Sequence, residues 1–280
     1  MITRTVLTLA VLTLQEALRR RVLRSLVVMT VVLLSLSAWG FYRLDSEFGT
    51  LTTGEARIAA STVLNLVMFG LSLIAALGTA FLAGPTVAGE IESGIALAVM
   101  TRPVRRSAVL LGKWLGLVAF GSGFVVVAGL GQLLIVRITV GYWPPQPATG
   151  LALLAAQTTV LLTLGLLLST VISPMASGIV AVGLFGATWI AGVVGMVGEA
   201  FGNEGMAGVG TVSRMLLPTD GLWRGAMHAF QHPALSQFPA FEDSPFLSVA
   251  PLTTTYLAWA ALWVAVVLGL SALAFQRRDL

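Results

Sequence analysis

The 280-residue sequence has no cysteine, a single lysine (Lys113) and few charges of either sign, with only 10% of positions Asp, Glu, Lys or Arg. Without cysteine there is no disulfide framework, no thiolate nucleophile and no cysteine-based metal site. A soluble domain carries roughly a quarter charged residues and about half apolar ones. This chain is 57% hydrophobic, with a mean hydropathy of +0.93. A soluble fold of that composition would expose large apolar patches with too few charges to keep it dispersed. The shortage of charge excludes a soluble enzyme and marks an integral membrane protein.

Long apolar runs are what the chain does have. A helix needs about 20 mostly apolar residues to cross the bilayer. Six stretches qualify: Val22–Phe41, Ser61–Ala83, Leu115–Val136, Leu151–Ile172, Gly178–Val197 and Leu252–Phe275. None shows the alternation of a membrane barrel. The expected fold is therefore an all-α integral membrane protein with six transmembrane helices, forming one domain over residues 1–280. Before the first span, Val6–Leu14 is too short to cross and is followed by Arg19, Arg20 and Arg21 with no small-residue cleavage site. Residues 1–21 are read as an interfacial helix rather than a signal peptide.

Basic residues near span ends set orientation. With the N-terminus inside, eleven of the sixteen basic residues fall on the inner side and five outside, and the net charges are +7 and −3. Both termini are expected in the cytoplasm. The pI of about 10.3 is then explained by helix anchoring, with no nucleic-acid partner required. Two long polar segments remain: a cytoplasmic loop over 84–113, where Gly84-Pro85 is expected to break the second span, and an external segment over 199–251. The latter is too long for a plain connector, and its Leu, Met, Trp and Phe content suggests short helices dipping into the outer interface.

The spans contain no carboxylate, lysine or arginine away from their ends, only uncharged groups such as Asn65, Gln132, Gln157, Thr158 and Thr159. Ion-coupled carriers place ionisable groups or broken helices at mid-depth, and membrane enzymes need acids, bases or metal ligands in mutual reach. Neither pattern is present, so no catalytic or cofactor-binding residues are assigned. His228 and His232 are four apart and share a helical face, but Pro233 follows at once and no carboxylate accompanies them. Solvated loop histidines are the plainer reading, and no metal ligands are assigned. Gly112-Lys113 resembles the end of a phosphate loop only superficially, since Trp114 stands where Ser or Thr must hold magnesium. The fifth span is glycine-rich, and small residues permit close helix approach. Gly192 and Gly195 are candidate subunit-interface residues, with intrachain packing as the alternative.

The cytoplasmic loop carries the most information. Glu90 and Glu92 are its only carboxylates, a short apolar run follows, and Arg102-Pro103 and Arg105-Arg106 close it. Membrane anchoring explains the arginines but not the acidic pair. A short helix with charges at both ends makes a docking knob for another protein.

At this point the sequence resembles a known family, the membrane-spanning permease subunits of type-2 (ABC-2-like) ATP-binding-cassette exporters. The resemblance is carried by Gly-Glu-x-Glu-Ser-Gly from Gly89, Arg-Pro-Val-Arg-Arg from Arg102, and Leu-Leu-Gly-Lys-Trp-Leu-Gly to Gly116. Leu217-Pro218-Thr219-Asp220 and the ending Phe275-Gln276-Arg277-Arg278-Asp279-Leu280 add to it. It implies outward transport driven by a separate ATPase, with ATP and magnesium on that partner and no cofactor in this chain. It also implies ATPase-coupling roles for Glu90, Glu92, Arg102, Arg105 and Arg106. The expected partners are an ABC ATPase in two copies, a second permease subunit as a homodimer, and membrane lipid, in the plasma membrane of a prokaryote. An uncharged pathway suits lipid-like or amphipathic cargo, with copper- or sulfur-related export as the alternative that the resemblance leaves open. The competing reading is a non-transporting membrane anchor or assembly factor that recruits a cytosolic partner through the same loop.

Overall fold

The computed structural model describes residues 2–47, 53–92, 105–237, 246–248 and 250–277. They form nine α-helices and one short 3-10 turn, with no strand among them. In chain order these are α1 (Ile2–Arg19), α2 (Arg21–Glu47), α3 (Thr53–Glu92), α4 (Arg106–Val140), α5 (Pro147–Val171), α6 (Pro174–Ala200), α7 (Glu204–Leu216), α8 (Thr219–Phe230) and α9 (Thr254–Arg277), with the 3-10 turn at Pro233–Gln237. Six of the helices, α2 to α6 and α9, are long and apolar enough to cross a membrane. The chain is an all-α, multi-pass membrane protein.

Proline and glycine set the helix limits. Pro147 and Pro174 each sit in the first turn of α5 and α6, where a missing N–H costs nothing and φ is already helical. Gly141 ends α4 at φ 68°, donating its N–H to the Arg137 carbonyl, a left-handed cap that favours glycine. Asn203 caps α7 by accepting from the Met206 N–H at 3.1 Å.

Pro85 does not end the second span as expected: it lies inside α3, which runs on for 40 residues. A helix-interior proline removes one hydrogen bond and crowds the preceding turn. Here Leu82, Ala83, Val87 and Ala88 are buried on both sides of it, so tertiary packing holds the helix through the defect. Gly84 is needed for proximity rather than breakage, since a Cβ there would lie 2.5 Å from the Pro174 carbonyl of α6. Within the 84–113 segment α3 thus extends to Glu92 and α4 starts at Arg106. At ~1.5 Å per residue α3 is about 60 Å long, twice the ~30 Å hydrocarbon core.

The start of α2, the end of α3, the start of α4, the α5–α6 turn and the end of α9 lie together at one end of the bundle, hereafter the basic end. The main core lies toward the other end, where Phe41, Leu64, Met68, Leu133, Leu154, Trp223 and Phe230 are fully buried. Phe69 packs there in tilted contact with Trp189 and Trp223 at ring-centre separations of 4.9 and 5.4 Å. Only α7 of the two short helices lies open at the periphery. Helix α8 is enclosed by the bundle, with Leu222, Trp223, Ala226, Met227 and Phe230 in the core, deeper than the interfacial position expected of it. Helix α1 seats against α4, where Gly112 and Gly116 bring the backbones together: Cβ atoms would lie 2.6 Å from Leu9 Cβ and 2.5 Å from the Ala10 carbonyl.

Candidate functional site

Residues 93–104, Arg102 among them, lie outside the described residues; the helix ends on either side carry the site. On the α3 side, Glu90 forms an ion pair with Lys113 of α4. The Lys113 ammonium also donates to the Thr86 carbonyl at 2.7 Å, one residue beyond Pro85. Only 9% of the Lys113 side chain is exposed against 28% of Glu90. The pair therefore fastens the two helices at the root of the loop. On the α4 side, Arg106 donates to the carbonyls of Phe275 and Gln276 at 3.4 and 3.3 Å. A guanidinium at these carbonyls in the last turn of α9 complements the negative end of the helix dipole. Glu90 and Arg106 thus act as anchors turned into the protein. Glu92 and Arg105 are exposed, and they bracket the loop on its outer side.

A second charged cluster lies at the opposite end. Asp220, in the first turn of α8, is 2% exposed and accepts through Oδ2 from Arg214 Nε at 3.2 Å and Arg224 Nε at 3.0 Å. Arg224 also donates to the Gly192 carbonyl of α6 at 2.9 Å. Beside it Thr219 Oγ1 lies 3.0 Å from Thr188 Oγ1. The Thr219 carbonyl accepts from Gln157 Nε2 at 3.3 Å, and Gln157 Oε1 accepts from Ser72 at 2.9 Å. Tyr256 and Trp263 of α9 donate to the carbonyls of Arg214 and Leu216 at 3.0 and 2.8 Å. The end of α7 and the Leu217-Pro218-Thr219-Asp220 segment together are therefore the polar hub that ties α3, α5, α6, α7, α8 and α9. Between spans, burial raises the Tyr142 phenol above its usual range, which keeps it a donor to the Phe230 carbonyl at 2.7 Å.

The family model of the ABC-2 family transporter proteins matches residues 9–280 of this chain. The chain belongs to the ABC-2 transporter family. A search of the curated proteins found no match. Membership makes the protein a transmembrane subunit of an ABC transporter, a kind of protein that associates with an ABC ATPase.

Other residues singled out in the sequence of this ABC-2 subunit have local tasks. His228 Nδ1 donates to the Ser248 carbonyl at 3.1 Å, and Gln231 exchanges hydrogen bonds with the same residue. His232 Nδ1 accepts from the Ala234 N–H at 3.2 Å. His228 thus secures the backbone that leads into α9, and His232 the 3-10 turn that follows α8. Gly192 and Gly195, expected at a subunit interface or in intrachain packing, are both buried within the chain. Gly192 lies under the Asp220 carboxylate, and a Cβ on Gly195 would sit 2.6 Å from Gly210 Cα of α7. The close approach they permit is spent on intrachain packing. The expected interfacial helix at 1–21 corresponds to α1, whose exposed side chains include Arg4, Leu7, Thr8, Val11, Gln15 and Arg19.

Sequence reading missed the Lys113–Glu90 pair because both residues were assigned to one loop. It missed the two arginines on Asp220 because nothing in the spacing of Arg214, Asp220 and Arg224 except the i,i+4 step of the last two signals contact. A groove of about 760 Å³ runs between α5, α6, α7 and α9 and is lined by Leu184, Ala191, Val209, Leu216 and Trp263 among others.

Proposed function

We propose that this subunit is the permease of an exporter. It forms the substrate path with a second copy of itself, while two copies of a separate ABC ATPase bind at the basic end and supply the hydrolysis of magnesium-bound ATP. The basic end faces the cytoplasm of a prokaryotic cell, both termini lie on that side, and the chain itself carries neither cofactor nor ATPase chemistry. The observation that carries this reading is the rooted loop. Glu90 and Arg106 hold its two ends to α4 and α9, so a push on the loop reaches three helices at once, whereas Glu92 and Arg105 stay exposed for a partner. An unrooted loop could bind an ATPase but would dissipate its motion.

The roles divide accordingly. Glu92, Arg102 and Arg105 contact the ATPase, and Glu90 and Arg106 transmit. The uncharged groove walls suit amphipathic or lipid-like cargo. Charge pairs at a partly desolvated interface cost about 2–5 kcal/mol when one member is lost, while exposed anchoring charges cost about 0–1 kcal/mol. Reversing Glu92 and Arg105 together (Glu92→Lys, Arg105→Glu) in the complex coexpressed with its ATPase should lower copurification of the ATPase at least tenfold and leave the permease itself as stable as before. Undiminished copurification together with cargo-stimulated ATP hydrolysis would remove these residues from the interface. Copurification with no hydrolysis stimulated by any amphipathic cargo would favour a membrane anchor over a transporter.

A further inference from the structure

A second groove opens between α1, α2 and α4. Its volume is about 470 Å³, and it is lined by Leu18, Leu23, Val27, Leu34 and Phe124 together with Thr30 and Gly123. From Leu23 to Leu34 it follows α2 for eleven residues, about 16 Å at the helical rise. That length is half of the ~30 Å hydrocarbon core, the depth of a single leaflet.

Two observations say what the groove holds. The first is charge at one mouth. Arg19, Arg21 and Arg24 are all exposed and flank the lining residues Leu18 and Leu23 in the chain. Glu16, one turn before Arg20, is engaged by it at 2.5 Å, and the three exposed arginines give the mouth its positive charge. The second is Thr30, which lines the groove wall. Its residue is 7% exposed, yet its hydroxyl has no hydrogen-bond partner among the described residues. Thr79, Thr158 and Thr163, also buried within helices, bond back to their own helix at 3.0, 2.9 and 2.7 Å. Thr30 does not, and an unpaired buried hydroxyl is unfavourable unless something supplies its partner. Apolar walls one leaflet deep, a free hydroxyl part-way down and arginines at the rim match one occupant.

We propose that this groove is a binding site for an anionic phospholipid of the leaflet at the basic end. One acyl chain lies along α2 against Val27, Leu34 and Phe124, the Thr30 hydroxyl donates to an oxygen of the lipid, and Arg19, Arg21 and Arg24 surround the phosphate. Clusters of basic residues beside a membrane helix attract anionic headgroups. The site differs from the loop where the ATPase is proposed to dock and from the larger groove between α6 and α7. Its consequence is that the seating of α1 on α4 depends on the lipid filling the space beside them.

The test is native mass spectrometry of the full-length protein in detergent, titrated with phosphatidylglycerol or with phosphatidylcholine of the same chains. The wild type should retain phosphatidylglycerol preferentially. Each arginine changed to glutamine should reduce that preference about fivefold, and Arg19→Gln/Arg21→Gln/Arg24→Gln should abolish it while phosphatidylcholine retention stays the same. Gly123→Leu fills the groove from a position where a Cβ meets nothing within 4 Å, and it should cut retention of both lipids without lowering the thermal midpoint of the lipid-free protein. If the triple variant does not fold, Arg24→Gln alone carries the fivefold test. Equal retention of the two lipids by the wild type, or unchanged retention by Gly123→Leu, would overturn the proposal. A dimer that Gly123→Leu converts to monomer, with no lipid bound, would assign the groove to a second copy and likewise overturn it.

Discussion

Replacing Glu90 by glutamine should destabilise the protein more than replacing its partner Lys113 by methionine, although either change breaks the same ion pair. The asymmetry follows from burial. In Glu90→Gln the Lys113 ammonium stays in a site where 9% of its side chain is exposed, with the Thr86 carbonyl as its remaining acceptor. Breaking a buried pair in this way costs about 3–5 kcal/mol, and the retained carbonyl and the glutamine oxygen place the cost at the lower end, about 3 kcal/mol. In Lys113→Met the apolar stem is kept. The stranded Glu90 carboxylate, 28% exposed, turns to water, so the cost falls toward the surface value of about 1 kcal/mol. The double variant strands no charge and should be less destabilised than Glu90→Gln alone. Reversible unfolding in mixed micelles of the wild type, both single variants and the double variant gives the coupling directly, expected near 2 kcal/mol. If the two single effects add within ~0.5 kcal/mol, the pair is not coupled and the loop is not rooted there.

At the opposite end, Asp220→Asn should cost about 3 kcal/mol, because it leaves Arg214 and Arg224 facing each other without their shared carboxylate, and denaturant unfolding measures it. Gly195→Leu should lower the thermal midpoint and free α7 from α6, with the oligomeric mass of the remaining folded protein unchanged by light scattering. A clean dimer-to-monomer shift at unaltered stability would restore the subunit interface. For orientation, cysteine introduced at Arg105 should be shielded from an impermeant reagent in intact cells, and cysteine at Phe201, 83% exposed at the other end, should react; the absence of native cysteine removes background labelling.

The six crossings were readable because nothing competes with an apolar run of 20 residues in a chain this poor in charge. Their ends were not. Gly84-Pro85 reads locally as a stop, yet packing around Leu82 and Val87 overrides it, and the propensity of α3 to continue is not written in those two residues. The site was legible in part for the same reason. Sequence order marked Glu90, Glu92, Arg105 and Arg106 as one group. Which of them turn inward depends on Lys113 and on the end of α9, which lies 169 positions from Arg106. Glycines were the least informative. Gly192 and Gly195 satisfy any rule for close approach, and only the position of α7 and α8 decides what approaches them.

The continuity of α3 through Pro85 has a mechanical meaning. A broken span would let the segment after the break swing on its own, absorbing displacement at the joint. An unbroken rod about 60 Å long behaves as a beam: tilted by about 10° about its midpoint, it carries each tip about 5 Å, in opposite directions. Glu90 sits at one tip, and Asn65, whose side-chain amide donates to the Phe246 carbonyl at 3.0 Å, lies toward the other. If the basic end docks an ATPase as proposed, work done on the Glu90 tip would pass along one continuous helix rather than across a break.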